Sequence, residues 1–191
     1  MHASSDFNSM RGRSTGTLVM TGFGALWLLL ALCLFQSLTA ANLCLLSAGV
    51  LALAAGALRL RRAAACWPRV PSAPGMGRTF GWINFLQWAA IAVVLNILQH
   101  LHLIAYEVSA VALIVGLHFF PLARLFRNGL HLATGAALTL WAIGTMLLSP
   151  LGSMQALAAL GAGLILWASA AATVALSLRT VRRRALSPGA A

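Results

Sequence analysis

Six long apolar runs, bounded by segments rich in arginine, constrain this chain more than any other feature. A run of about 20 residues is long enough for an α-helix to cross the roughly 30 Å hydrocarbon core of a bilayer. The chain is 61% hydrophobic and only 8% charged, whereas about 25% of the residues of a soluble domain are charged. We therefore predict an all-α, polytopic integral membrane protein with six transmembrane helices. The predicted spans are residues 17–36, 42–60, 80–100, 106–124, 130–148 and 153–178.

The arginines predict how the spans are threaded through the membrane. The chain has thirteen basic residues, all arginine, against only two acids, Asp6 and Glu107. If the spans alternate in direction as three hairpins, every arginine falls on the same side, and the three turns on the opposite side carry none. Positively charged loops stay in the cytoplasm. We therefore expect both termini to be cytoplasmic.

The segments outside the spans differ in composition. Residues 1–16 are polar, and we predict a flexible cytoplasmic N-terminus there. The transmembrane domain covers 17–184 and contains a cytoplasmic linker, 61–79, rich in proline and glycine, which no helix should cross. The tail 185–191 is predicted to be disordered. The first apolar run exceeds the 7–15 residues of a signal-peptide core, so we expect it to be retained.

Composition also bears on location and partners. The absence of lysine and the abundance of alanine favour a GC-rich bacterial genome, which predicts a multi-pass protein of the bacterial inner membrane. The lipid bilayer is the expected partner. Nucleic acid is not expected, because the arginines lie between apolar runs and form no continuous basic surface. Small residues at four-residue spacing, as at Ala159 and Gly163, suit a homo-oligomer or another membrane partner, but an alanine-rich chain also produces such pairs by chance.

Cofactor and metal motifs are not found in the sequence. It has no Cys-x-x-Cys, no His-Glu-x-x-His and no glycine-rich phosphate loop, so we predict no metal and no cofactor. His100, His102 and Glu107 are too irregularly spaced for one helical metal site, and we interpret them as a wetted turn. A disulfide between Cys33 and Cys44 stays open, although buried free thiols are favoured.

The third and fourth runs carry polar side chains that a membrane span does not need. Glu107 and His118 are eleven residues apart, which puts them within about 20° on one helical face. Pro121 should kink this helix and leave the carbonyl of Leu117 free beside His118. Because buried polar residues face the bundle interior, we predict a ligand or proton site between the third and fourth spans. Its residues are Gln87, Asn96, Gln99, Glu107 and His118.

A structural interpretation of the same residues is also open, in which His118 is a packed core residue bonded to Gln87. His131 lies at a different depth from His118, which argues against a haem held by the two histidines. Arg124 and Arg127 should anchor the fourth span to lipid headgroups. Asn128 and Gly129 should end that helix in the left-handed conformation.

Two functions remain open from the sequence. The first is a small inner-membrane protein that binds or transports a small solute or proton at the predicted site. The second is a non-catalytic subunit, scaffold or immunity-type partner that acts through helix–helix contacts, with Gly161 and Gly163 as test positions. An enzyme is disfavoured, because two acids cannot supply a paired-carboxylate mechanism and no nucleophile–base arrangement is visible.

Overall fold

The computed structural model describes residues 3–65 and 74–185. Predictions for residues 1–2, for the central part of the linker at 66–73, and for the tail at 186–191 lie outside the described residues. Within the described ranges the chain contains helices and turns and no strand. The helices are α1 (Ala3–Leu34), α2 (Ala40–Ala65), α3 (Met76–His100), α4 (Glu107–Phe126), α5 (Gly129–Leu148) and α6 (Leu151–Ala185), with a short 3₁₀ helix at Ile104–Tyr106.

All six α-helices contain a stretch long and apolar enough to cross a membrane. This confirms the predicted all-α class and the number of helices that are long and apolar enough to cross a membrane. Each predicted span corresponds to one helix, because a helix satisfies its backbone hydrogen bonds within its own segment and therefore needs no partner to cross lipid.

The helix ends differ from the prediction where charged or polar residues follow an apolar run. Helix α1 begins at Ala3, so residues 3–16 of the predicted N-terminal segment are helical. Helices α2 and α6 continue through their arginines to Ala65 and Ala185. Arginine is a good helix former, and extending an existing helix is easier than nucleating a new one. The end of the apolar run therefore marks the end of the hydrocarbon and not the end of the helix.

Helix α6 is the centre of the bundle. It packs against α1, α2, α4 and α5, whereas α3 packs on α4 and on the 3₁₀ helix. Half of the most apolar stretch of α6 is buried, against 6% for α3. Short turns join α1 to α2, α3 to α4 and α5 to α6, and Nε2 of Gln155 donates to the carbonyl of Ile104 at 2.8 Å, which ties two of these turns together. The core cluster consists of Met20, Ala112, Phe119, Leu138, Ala142, Ala162, Leu166 and Ala170.

Glycines let the most closely packed helices touch. A Cβ on Gly163 of α6 would lie 2.9 Å from the carbonyl oxygen of Gly24 on α1, and a Cβ on Gly135 of α5 would lie 2.9 Å from that of Gly116 on α4. Small residues allow such close backbone approach in membrane bundles. The small-residue faces predicted for partner binding are thus used inside the chain, and Gly161 likewise lies against the side chain of Trp141.

Buried hydroxyl groups add a second kind of helix–helix contact. Ser109 of α4 bonds Thr145 of α5 at 3.2 Å, and Thr134 of α5 bonds Ser169 of α6 at 2.6 Å. Other buried hydroxyls, such as that of Thr21, donate to the carbonyl four residues earlier in their own helix. Most of the buried hydroxyls therefore serve packing, whereas Thr139 Oγ1 and Ser177 Oγ are buried without a hydrogen-bond partner among the described residues, as are Glu107 Oε1 and the Nδ1 atoms of His118 and His131.

Candidate functional site

The amide side chains of α3 do not assemble into the predicted site. Asn96 is exposed, and its Nδ2 reaches only the carbonyl of Ala92 in its own helix, at 3.5 Å. Gln99 is exposed near the end of the helix, and Gln87 is half-buried. Because α3 packs along α4 with little of its surface buried, most of its side chains, amides included, face outward.

His118 is half-buried and lies among aromatic rings. Its ring centroid is 6.0 Å from that of Phe119, edge to face, and the backbone of Ile83 on α3 lies beside it. Its Nδ1 is buried and has no hydrogen-bond partner, so the expected bond from Gln87 is not made at this atom. His131 lies on the other side of Phe119, at a centroid distance of 5.8 Å, and also has a buried, unpartnered Nδ1. A phenyl ring thus separates the two histidines.

Glu107 and His118 share a helix but not a site. Eleven residues of α4 separate them, which is about 16 Å along the axis. His118 faces α3 and the phenylalanine cluster, whereas Glu107 faces a cleft at the other end of the helix. Their spacing places the two residues within about 20° on one helical face, but their neighbours differ.

The cleft at Glu107 is formed by three helices. It has a volume of about 310 Å³ and lies on α4 between α1 and α3. Glu107 is the one acidic residue in its lining, and the other lining side chains are apolar or aromatic. They are Phe23, Leu26, Trp27 and Leu30 from α1, Leu95 from α3, and Val108 and Val111 from α4.

The carboxylate of Glu107 is incompletely paired in this cleft. Its Oε1 is buried and has no hydrogen-bond partner in the described part of the chain. Glu107 starts α4, directly after the 3₁₀ helix, whereas Arg124 and Arg127 lie at the opposite end of the same helix. Within the described residues, no group of three histidine, cysteine or acidic side chains is placed to hold a metal ion. The acid therefore lies in an apolar cleft, far from the arginines of its own helix.

The other predicted residues of α4 have structural positions. The helix continues through Pro121 to Phe126, and Arg124 and Arg127 are exposed at its end. Arg127 itself adopts the left-handed conformation, with φ 48°. Asn128, which we expected to do so, is extended and caps α5 by accepting a hydrogen bond from the backbone N–H of Leu130 at 3.1 Å. An asparagine oxygen is a favoured N-cap, which explains the difference.

Cys33 and Cys44 are free and exposed on the helix surface, so our expectation that they are buried was wrong. The sequence analysis also missed the aromatic wall of the cleft, because Phe23 and Trp27 are indistinguishable from lipid-facing residues in an apolar run. Gln155 could have been noticed from the sequence, because it is an amide at the start of an apolar run. Its partner, the carbonyl of Ile104, cannot be identified from the spacing of residues in the sequence. Comparison with known proteins finds no matching family model, curated protein or solved structure.

Proposed function

We propose that the protein is a multi-pass component of the bacterial inner membrane with both termini in the cytoplasm. The support is the position of the arginines relative to the helices. Arg13 lies in the N-terminal half of α1, Arg78 in the first turn of α3 and Arg124 in the last turn of α4, all away from the three short turns. The turns at 35–39, 101–106 and 149–150 contain no arginine. This is the distribution that the positive-inside rule associates with cytoplasmic loops.

Cysteine labelling tests this threading. In a variant lacking the native cysteines, Leu38→Cys places a thiol in the first turn, at an exposed position, and Pro74→Cys places one before α3, also exposed. We expect a membrane-impermeant maleimide to label Leu38→Cys in intact spheroplasts and to label Pro74→Cys only after permeabilisation. The reverse pattern would show that the termini lie outside.

For activity, we propose that the protein binds a small solute in the cleft at Glu107. The observation that carries this proposal is the buried Oε1 without a partner. A buried polar atom left unpaired costs roughly 1–3 kcal/mol, and ionisable groups inside membrane bundles commonly mark ligand or ion pathways. A bound molecule that pairs with the carboxylate offsets that cost. A mostly apolar cleft with one polar group is also the usual character of a small-molecule site.

The test compares the molecules that co-purify with the protein in mild detergent. Val111→Trp fills the cleft with a bulky side chain, and Asn96→Ala removes an exposed amide of α3 that is outside the cleft. We expect native mass spectrometry and solvent extraction to reveal a small molecule with the wild type and with Asn96→Ala that is depleted with Val111→Trp. Identical contents in all three samples would refute solute binding in this cleft.

The alternative is a non-catalytic partner protein that acts through helix–helix contacts. The small-residue face of α6 was the candidate surface for those contacts, and it is occupied within the chain. Gly163 packs on Gly24 and Leu28, and Gly161 packs on Trp141, all within the chain. A partner would therefore have to use the outward-facing side of α2 or α3, which is also what a lipid-facing surface looks like. Substitutions of Gly161 or Gly163 are expected to lower the stability of the protein itself, and this outcome no longer separates the two functions.

A further inference from the structure

The charge of the cleft limits the ligands that it can take. Glu107 is the one ionisable side chain in the lining, and the arginines of its helix lie at the far end of α4, which spans 20 residues or about 30 Å. An ionised carboxylate in apolar surroundings repels anions and favours a cation. A hard metal cation needs several oxygen ligands, and the lining of the cleft contains one carboxylate and no second acid or histidine.

The walls of the cleft favour an organic cation. Phe23 and Trp27 provide aromatic rings, and aromatic faces attract ammonium-type cations. Leu26, Leu30 and Leu95 complete an apolar lining that no hydrated ion would fill. An organic cation with bulky apolar substituents matches both the single carboxylate and the apolar lining. Its charge needs only one counterion, and its substituents can pack against the apolar side chains.

The cleft opens laterally between α1 and α3, next to the turn at 101–106 that directly precedes Glu107. Helices α1 and α3 form no packed interface with each other in the described part of the chain, and the cleft lies in the gap between them. Phe23 and Leu26, on the rim, are 47% and 62% exposed on a helix surface that would face lipid. A ligand that partitions into the bilayer could therefore reach Glu107 laterally.

We propose that the ligand of the cleft is a lipophilic organic cation, with an ammonium or phosphonium centre paired to Glu107 and apolar substituents against α1 and α3. This inference rests on the proposed function and names the chemical class of its solute. The lining residues from α1, α3 and α4 include no other titratable group, and Tyr106, directly before Glu107, is the nearest in the chain.

The experiment uses two probes of the same shape and opposite charge, tetraphenylphosphonium and tetraphenylborate. Binding to the full chain in a non-ionic detergent is measured by equilibrium dialysis. We expect the wild type to bind the phosphonium and not the borate, and the affinity to fall by roughly 10- to 100-fold in Glu107→Gln, as for the loss of one ion pair in a partly buried site. Trp27→Leu should weaken phosphonium binding by roughly 3- to 10-fold through the lost cation–π contact. The control Asn96→Ala should bind as the wild type does.

Folding of the variants is checked by their elution volume and circular dichroism. Glu107→Gln removes a charge whose Oε1 makes no hydrogen bond, so the variant is expected to fold.

Two outcomes overturn the inference. If the wild type binds both probes equally, the charge of the ligand does not matter. If Glu107→Gln binds the phosphonium as tightly as the wild type does, the carboxylate is not its counterion. If Val111→Trp still depletes a neutral or anionic molecule in the co-purification test, the cleft binds a solute of another class and the proposed function stands. If Val111→Trp changes neither co-purification nor phosphonium binding, both proposals fail.

Discussion

The contact between α1 and α6 at Gly163 allows a quantitative test of the packing. In the change Gly163→Ala, the new Cβ would lie 2.6 Å from Cγ of Leu28 and 2.9 Å from the carbonyl oxygen of Gly24. The carbonyl belongs to the backbone, and Leu28 is buried, so neither neighbour can move without shifting α1. Ordinary carbon–carbon contacts are about 3.5–4.0 Å. The helices would therefore have to separate by roughly 1 Å.

The expected loss of stability follows from two opposing effects. Overpacking a close interface costs about 1–3 kcal/mol, and replacing glycine by alanine within a helix returns up to about 1 kcal/mol. We expect Gly163→Ala to lower the free energy of unfolding by about 1–2 kcal/mol. Gly22→Ala is the matched control, since a Cβ on Gly22 of α1 would have no neighbour within 4 Å. It should be neutral or stabilising by up to about 1 kcal/mol.

Thermal unfolding followed by tryptophan fluorescence in detergent measures both variants. A difference of about 2 kcal/mol between them corresponds to roughly 4–8 °C in Tm for a chain of this size. Cross-linking in membranes shows whether either change alters association. If Gly163→Ala is as stable as Gly22→Ala, or if it dissociates an oligomer without lowering Tm, the interface between α1 and α6 has been assigned incorrectly.

Two further predictions concern hydrogen bonds between elements. Ser109→Ala removes the buried bond to Thr145 and should lower the free energy of unfolding by about 0.6 kcal/mol, the average for such bonds in membrane bundles; the exposed Thr180→Ala should change it by less than about 0.5 kcal/mol in the same denaturation assay. Gln155→Leu removes the bond to the carbonyl of Ile104, and hydrogen exchange should become faster in the 3₁₀ helix at Ile104–Tyr106 while the rest of α4 keeps its protection. Unchanged exchange there would show that the bond does not hold the turn.

The candidate site illustrates how far sequence reasoning reached. Glu107 stood out because an acid in an apolar run is rare and expensive in a membrane, and its position in a cleft is consistent with that reasoning. Its expected partners were wrong. Helical spacing identifies a face but not the helix that covers it, and the cleft is lined mainly by α1 and not by the amides of α3. The spacing places His118 on the same face of α4, yet its ring packs on Phe119 and not in the cleft.

The sequence by itself determined the helical class and the number of membrane-crossing helices. Both follow from local properties, since the length and hydropathy of a run decide whether a helix can cross lipid and satisfy its own backbone. Tertiary structure alone decided that α6 is central, that Gly163 meets Gly24, and that Glu107 and Trp27 line the same cleft. These contacts depend on how each helix is rotated about its axis. In a uniformly apolar chain, that rotation is set by small differences in how neighbouring helices fit together. The sequence of one apolar run does not contain this information, because it depends on two helices at once.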